Sequence, residues 1–140
     1  MKNTILLLVI GCCSYASFCQ TQSQMNNRSG DGTKKAERKM DDVYKKILKI
    51  YAKDTLFVKN LKLSQKLWLQ YSNAQLKAMF PDYGPGYYGS MHAMCVTTYS
   101  KKLAEQRMHE LELWLIGNEE EDGCDGSIKM KSELPVYSPN

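Results

Sequence analysis

Histidine is nearly missing from this chain: His92 and His109 are the only two among 140 residues. Neither stands in an H-E-x-x-H arrangement, and no cysteine belongs to a C-x-x-C pair, so the common zinc and dithiol centres are excluded. There is no glycine-rich phosphate loop. Ser64 and Ser90 lack an adjacent base and the setting of a nucleophile elbow. No alternation of apolar and polar residues is long enough for a strand. With nine glycines and four prolines the chain is not of low complexity. Its length and 43% hydrophobic content allow one small domain, too little for a multidomain enzyme, and five cysteines are too few for a disulfide-dense knottin. These exclusions point to a protein without a catalytic centre, cofactor or metal site.

What is present begins with an address. Lys2 is the only charge before Arg28, and Ile5 to Gly11 is apolar. A short positive region, an apolar stretch, and the small residues Ser17 and Cys19 before Gln20 read as a secretory signal peptide over 1–19. Val9-Ile10-Gly11-Cys12 also matches a lipoprotein box, which leaves lipid anchoring at Cys12 as the alternative. Export places the protein in the periplasm or outside the cell, where disulfides persist. Cleavage removes Lys2 and three cysteines, leaving 18 basic and 15 acidic residues with only Cys95 and Cys124. No transmembrane span is expected in the mature form.

Three helices follow. Residues 20–32 are polar, with little apolar surface to offset ordering entropy, and read as a flexible leader. From Thr33, Ala36, Met40, Val43, Tyr44, Ile47, Ile50 and Tyr51 recur at helical spacing. The lysines around that stripe are diluted by Glu37, Asp41 and Asp42, so the face reads as solvated and no nucleic-acid partner is expected. Asp54 is a helix N-cap. The run from Thr55 to Phe80 contains neither proline nor glycine. In it Leu61, Trp68, Tyr71, Gln75 and Met79 form one stripe, widened by Leu63, Leu67, Ala74 and Ala78. Trp68 is expected to pack on the first helix. Pro81 to Gly89 is a turn-rich break. A third helix runs from Ser90, a possible cap, to Ile116, with Gly117-Asn118 as its stop. Met91, Met94, Cys95, Thr98, Leu103, Leu111, Trp114 and Leu115 supply its apolar side. Residues 117–140 read as an acidic, mostly disordered tail. The expected fold is all-α: a small antiparallel three-helix bundle over 33–116.

Certain residues carry a family likeness. Leu61-x-x-Ser64-Gln65-x-x-Trp68-x-x-Tyr71 is preceded by Met40-Asp41-x-Val43-Tyr44 and followed by Gly89-Ser90-Met91, Cys95 and Arg107-x-x-Glu110-Leu111. In order and rough spacing this resembles the N-terminal domain family of the LprI-type lysozyme inhibitors. The likeness covers about residues 33–115. Tyr44, Gln65, Trp68, Tyr71, Cys95 and Arg107 carry the family motif. Leu76 occupies the position where the family often has a cysteine, so the family-type partner of Cys95 is missing. The resemblance implies a non-catalytic inhibitor whose partner is a lysozyme or another envelope or extracellular protein.

The residues add their own candidates. Two cysteines in an exported chain suggest one disulfide, Cys95 to Cys124. A straight helix from Cys95 to Ile116 spans roughly 31 Å, and eight extended steps back reach at most about 29 Å. With about 5.5 Å between bridged Cα atoms, closure is only just possible with a fully extended tail: either the helix ends or bends early, or the cysteines are free or pair between molecules. Met91, Met94 and Cys95 share a helix face and suit Cu(I) in principle, against the ordinary reading of methionine as core filling. Glu105 and His109, one turn apart, read as a surface pair. Tyr83, Tyr87 and Tyr88 on the turn-rich loop form a candidate partner-binding surface. Charge divides sharply: Arg28 to Lys66 carries a net +7 and Leu103 to Asp125 a net −7. A basic lysozyme calls for an acidic face, which only the C-terminal part supplies. The expected function is occlusion of a lysozyme by the tyrosine loop or the acidic end. The alternatives are an envelope-associated structural or interaction protein, and soft-metal binding.

Overall fold

A computed structural model describes residues 21–120 and 122–139. The expected signal peptide over 1–19, and with it Cys12, lies outside the described residues. Three helices account for most of the rest: α1 over Gln22–Ile50, α2 over Thr55–Met79 and α3 over His92–Ile116. Among the described residues no strand forms, in agreement with the expected all-α bundle.

The helix ends follow from local chemistry. Asp54 accepts a hydrogen bond from the Phe57 amide (2.9 Å), capping α2 as its sequence implied. Pro81, whose ring cannot extend a helix, follows the α2 C-cap Phe80. Gly117 ends α3 at a φ of 69°, a left-handed conformation open to glycine. There a Cβ would meet Leu134 Cδ1 at 2.7 Å and the Lys129 carbonyl oxygen at 2.8 Å. The expected Ser90 cap is not used: α3 starts after Met91, without a side-chain cap bond.

Long-range bonds set the directions. Thr33 Oγ1 donates to the Thr97 carbonyl (2.7 Å) and Tyr51 Oη to the Trp114 carbonyl (3.2 Å), so α1 and α3 run parallel. Gln65 meets Arg107, and Gln75 Nε2 donates to Tyr99 Oη, so α2 runs antiparallel to α3. The core is built from Ala36, Met40, Val43, Ile47 and Tyr51 with Phe57, Leu61, Ala104, Met108, Leu111 and Leu115. Ile47 and Leu111 are fully buried, each worth roughly 1.5–3 kcal/mol of burial. Tyr44, Trp68 and Trp114 pack on its edge. This is the α1 stripe read from periodicity, joined to the C-terminal half of α3.

Three expectations need correction. Residues 22–32, read as a flexible leader, form the first turns of α1. Thr21 and Gln24 make a reciprocal capping box there, and Ser29 Oγ bonds to α3 at Met94 and Thr97. Contacts made far along the chain thus order a segment too polar to order itself. The described part of the tail is also folded. Asn118 exchanges backbone bonds with Lys129 and Lys131, a short 3-10 turn spans Lys131–Glu133, and Leu134 and Tyr137 pack on the core. Finally, the buried stripe of α2 is narrower than its spacing implies. Leu61 and Gln65 are buried, whereas Leu63, Leu67, Tyr71 and Met79 are exposed. Met91 and Cys95 of α3 are exposed too.

Candidate functional site: the tyrosine loop

The segment from Pro81 to Gly89 joins two rigid helices through tight turns. Gly84, Gly86 and Gly89 have φ of 105°, 81° and 68°, values that side-chain-bearing residues rarely adopt. Asp82 Oδ1 accepts from the Gly84 amide (3.1 Å), and Tyr88 Oη donates to the Pro81 carbonyl (2.9 Å). These bonds fold the loop back on itself and gather its rings. Tyr83 and Tyr87 lie 4.7 Å apart by ring centroid, Tyr87 and Tyr88 4.9 Å, and Tyr88 stacks on His92 at 4.5 Å. Phe80 packs edge-on to Tyr88 and Tyr99 from below. The sequence-predicted trio is therefore one aromatic cluster, with His92 and Phe80 added by the fold.

Tyr88 is partly covered, while Tyr83 and Tyr87 are 62% and 65% exposed. Beside them lies an open concavity of about 440 Å³ walled by Phe80, Tyr87, Tyr88 and His92. His92 Nε2 is buried there without a hydrogen-bond partner. Desolvation, then the neighbouring Tyr83, Tyr87 and Asp82, push the Tyr88 hydroxyl above its ordinary range, so Tyr88 keeps its proton at physiological pH. What it offers a partner is ring faces, hydroxyls and the exposed Asp82.

The acidic end is less available than its charge count implied. Glu105 pairs with Lys101 (3.5 Å), Glu110 with Arg107 (2.9 Å) and Glu119 with Lys131 (2.6 Å). Glu112 is buried, accepting from Tyr137 Oη (2.7 Å) and lying 2.9 Å from His109 Nδ1. The expected Glu105–His109 pair is therefore replaced by two others. Asp122 and Asp125 hold their own turn by accepting the amides of Cys124 and Asp122.

The motif residues sort into core and surface. Arg107 is the buried hub: its Nε donates to Gln65 Oε1 (3.1 Å), Nη1 to Glu110 Oε2 (2.9 Å) and Nη2 to Ser64 Oγ (3.0 Å). Gln65 Nε2 reaches Met40 Sδ at 3.9 Å, so one polar network crosses all three helices. Tyr44 and Trp68 pack against the core, and Tyr71 faces out. Cys95 and Cys124 do not pair; both are free and exposed. The unbroken α3 separates Cys95 from the Cys124 turn. No local pattern in the sequence announces the Glu112–Tyr137 bond, which joins residues 25 apart.

The model of the family described as lysozyme inhibitor LprI matches residues 12–111. The match spans more than two thirds of the chain, and the chain belongs to this family. Neither a curated protein nor a solved structure matches it.

Proposed function

We propose that this member of the LprI family is an exported, non-catalytic binding protein that occludes a lysozyme with its tyrosine loop. The observation that carries the reading is the cluster of Tyr83, Tyr87 and Tyr88, the first two exposed, on a hydrogen-bonded turn between two helices. Clustered tyrosines provide large contact area at small entropic cost, because few side-chain torsions remain to be frozen. Their faces, with Asp82 alongside, suit a cationic side chain, and lysozymes of the animal type are typically basic. The loop from Pro81 to Gly89 carries no lysine or arginine, so it avoids the repulsion that the Lys-rich half of the chain would impose. The acidic end is the weaker candidate, since Glu105, Glu110, Glu112 and Glu119 already have partners inside the domain.

The test is a lytic assay with purified exported protein added to lysozyme and bacterial cells. Lysis slows at stoichiometric excess, and Tyr83→Ala with Tyr87→Ala restores it by at least about tenfold in inhibitor concentration, as expected for losing aromatic anchors worth ~2 kcal/mol. No slowing by the parent protein overturns inhibition itself. Full inhibition by the double variant removes the loop from the contact.

A further inference from the structure

The outward face of α2 carries a row of apolar side chains that no part of the described fold covers. Leu56, Leu63 and Leu67 are 67%, 54% and 53% exposed, and Ala74 and Ala78 continue the row. At 100° per residue all five fall within about 60° of arc, while the core-facing Leu61 and Gln65 point well over 100° away. The row is straight and roughly 33 Å long. It is not a scatter of single exposed leucines, which would need no explanation.

The charge beside the row selects its occupant. Every ionised side chain within Thr55–Met79 is a lysine: Lys59, Lys62, Lys66 and Lys77. All four are exposed and lie to one side of the row, Lys59, Lys66 and Lys77 beside the leucines and Lys62 farther round. Tyr71, 54% exposed, borders the other flank. A second copy of α2 would set lysine rows against each other without an acidic counterpart, and a basic protein would be repelled. A planar anionic surface satisfies both parts: leucines enter the acyl boundary, lysines extend their stems to head-group phosphates, and a tyrosine lies at the interface.

We propose that α2 docks this domain, lengthwise and peripherally, on an anionic lipid bilayer. The tyrosine loop follows the end of α2 and remains outside the lysine-flanked row, so the inference stands independently of lysozyme binding.

The experiment uses exported protein carrying Cys12→Ser, so that no attached lipid contributes, and measures sedimentation with vesicles. The protein binds vesicles of phosphatidylglycerol and phosphatidylcholine in equal parts, ignores pure phosphatidylcholine, and is released by salt. Replacing Lys59, Lys62, Lys66 and Lys77 by Gln weakens binding roughly fivefold per lysine. Leu63→Gln with Leu67→Gln abolishes binding while helical circular dichroism is unchanged. Lys34→Gln with Lys35→Gln, on exposed positions of α1, leaves binding intact. Absence of binding to the anionic vesicles, equal binding to neutral ones, or equal loss in the α1 variant overturns the proposal. So does a dimer in sedimentation that the two leucine substitutions dissolve, because a second copy would then cover the row.

Discussion

Arg107 and Gln65 offer the sharpest test of how this bundle is held together. The guanidinium is buried and gives one bond each to Gln65, Ser64 and Glu110. Arg107→Met keeps most of the stem volume and removes all three donors. Glu110 and Ser64 are exposed and regain water, so their loss costs little. Gln65 is buried, and its Oε1 is left without a donor. An orphaned buried acceptor costs about 1–3 kcal/mol, so we expect roughly 2–3 kcal/mol for the single substitution. Gln65→Met inverts the problem, leaving the Nε–H of Arg107 unpaired at a similar cost of roughly 1–3 kcal/mol. In the double variant neither orphan exists, and Met40 faces a thioether instead of an amide.

The double variant should therefore lose well under the sum of the singles, with a coupling of at least ~1 kcal/mol. Urea denaturation followed by circular dichroism measures all four proteins, and equal slopes confirm that only stability has changed. Additivity within about 0.5 kcal/mol would show that the two side chains do not act as a unit. An Arg107→Met protein as stable as its parent would refute the hub role outright.

Two other outcomes follow from the C-terminal half. Burial, then the bond to Glu112 and its charge, raise the Tyr137 hydroxyl far above its ordinary value. The folded chain thus holds this proton more tightly, so the associated stability is complete below about pH 10 and declines as pH rises past it. Tyr137→Phe should be less stable than its parent at neutral pH by ~1 kcal/mol, a gap that closes in alkali; an unchanged gap in alkali would contradict the assignment. The exposed, free Cys95 and Cys124 should both be alkylated in the native monomer of residues 20–140, as read by intact mass. An unmodified monomer would mean that they pair within one chain.

The features legible in the sequence are those decided within one helical turn or one face. The stripe from Ala36 to Tyr51, the Asp54 cap, the break at Pro81 and the stop at Gly117 each depend on neighbours close in the chain. The family motif also indicated more than local structure, since Gln65 and Arg107, 42 residues apart, meet in the interior. Features held by distant partners were not legible. Nothing in Ser29 or Thr33 announces Thr97, and nothing in Tyr137 announces Glu112. Periodicity failed on α2 for another reason. Apolar residues occur around most of that helix, and sequence alone does not say which side faces α1 and α3. The burial of Leu61 and Gln65 assigns the inner face and leaves Leu63 and Leu67 on the outer one.

Charge counting needed the same correction. A net −7 over Leu103 to Asp125 suggested an acidic docking face, but a carboxylate that accepts from Tyr137 or pairs with Lys131 is partly committed within the domain. The positive block has fewer such ties on α2, where four lysines flank an apolar row without an acidic neighbour in the helix. Binding through those lysines must weaken steeply as salt screens them, whereas contact through the aromatic loop, with Asp82 as its one acidic side chain, depends more on burial and weakens less. The two surfaces thus differ in physical character as well as in place. Their ionic-strength dependence separates them even in a mixture containing both lysozyme and membrane.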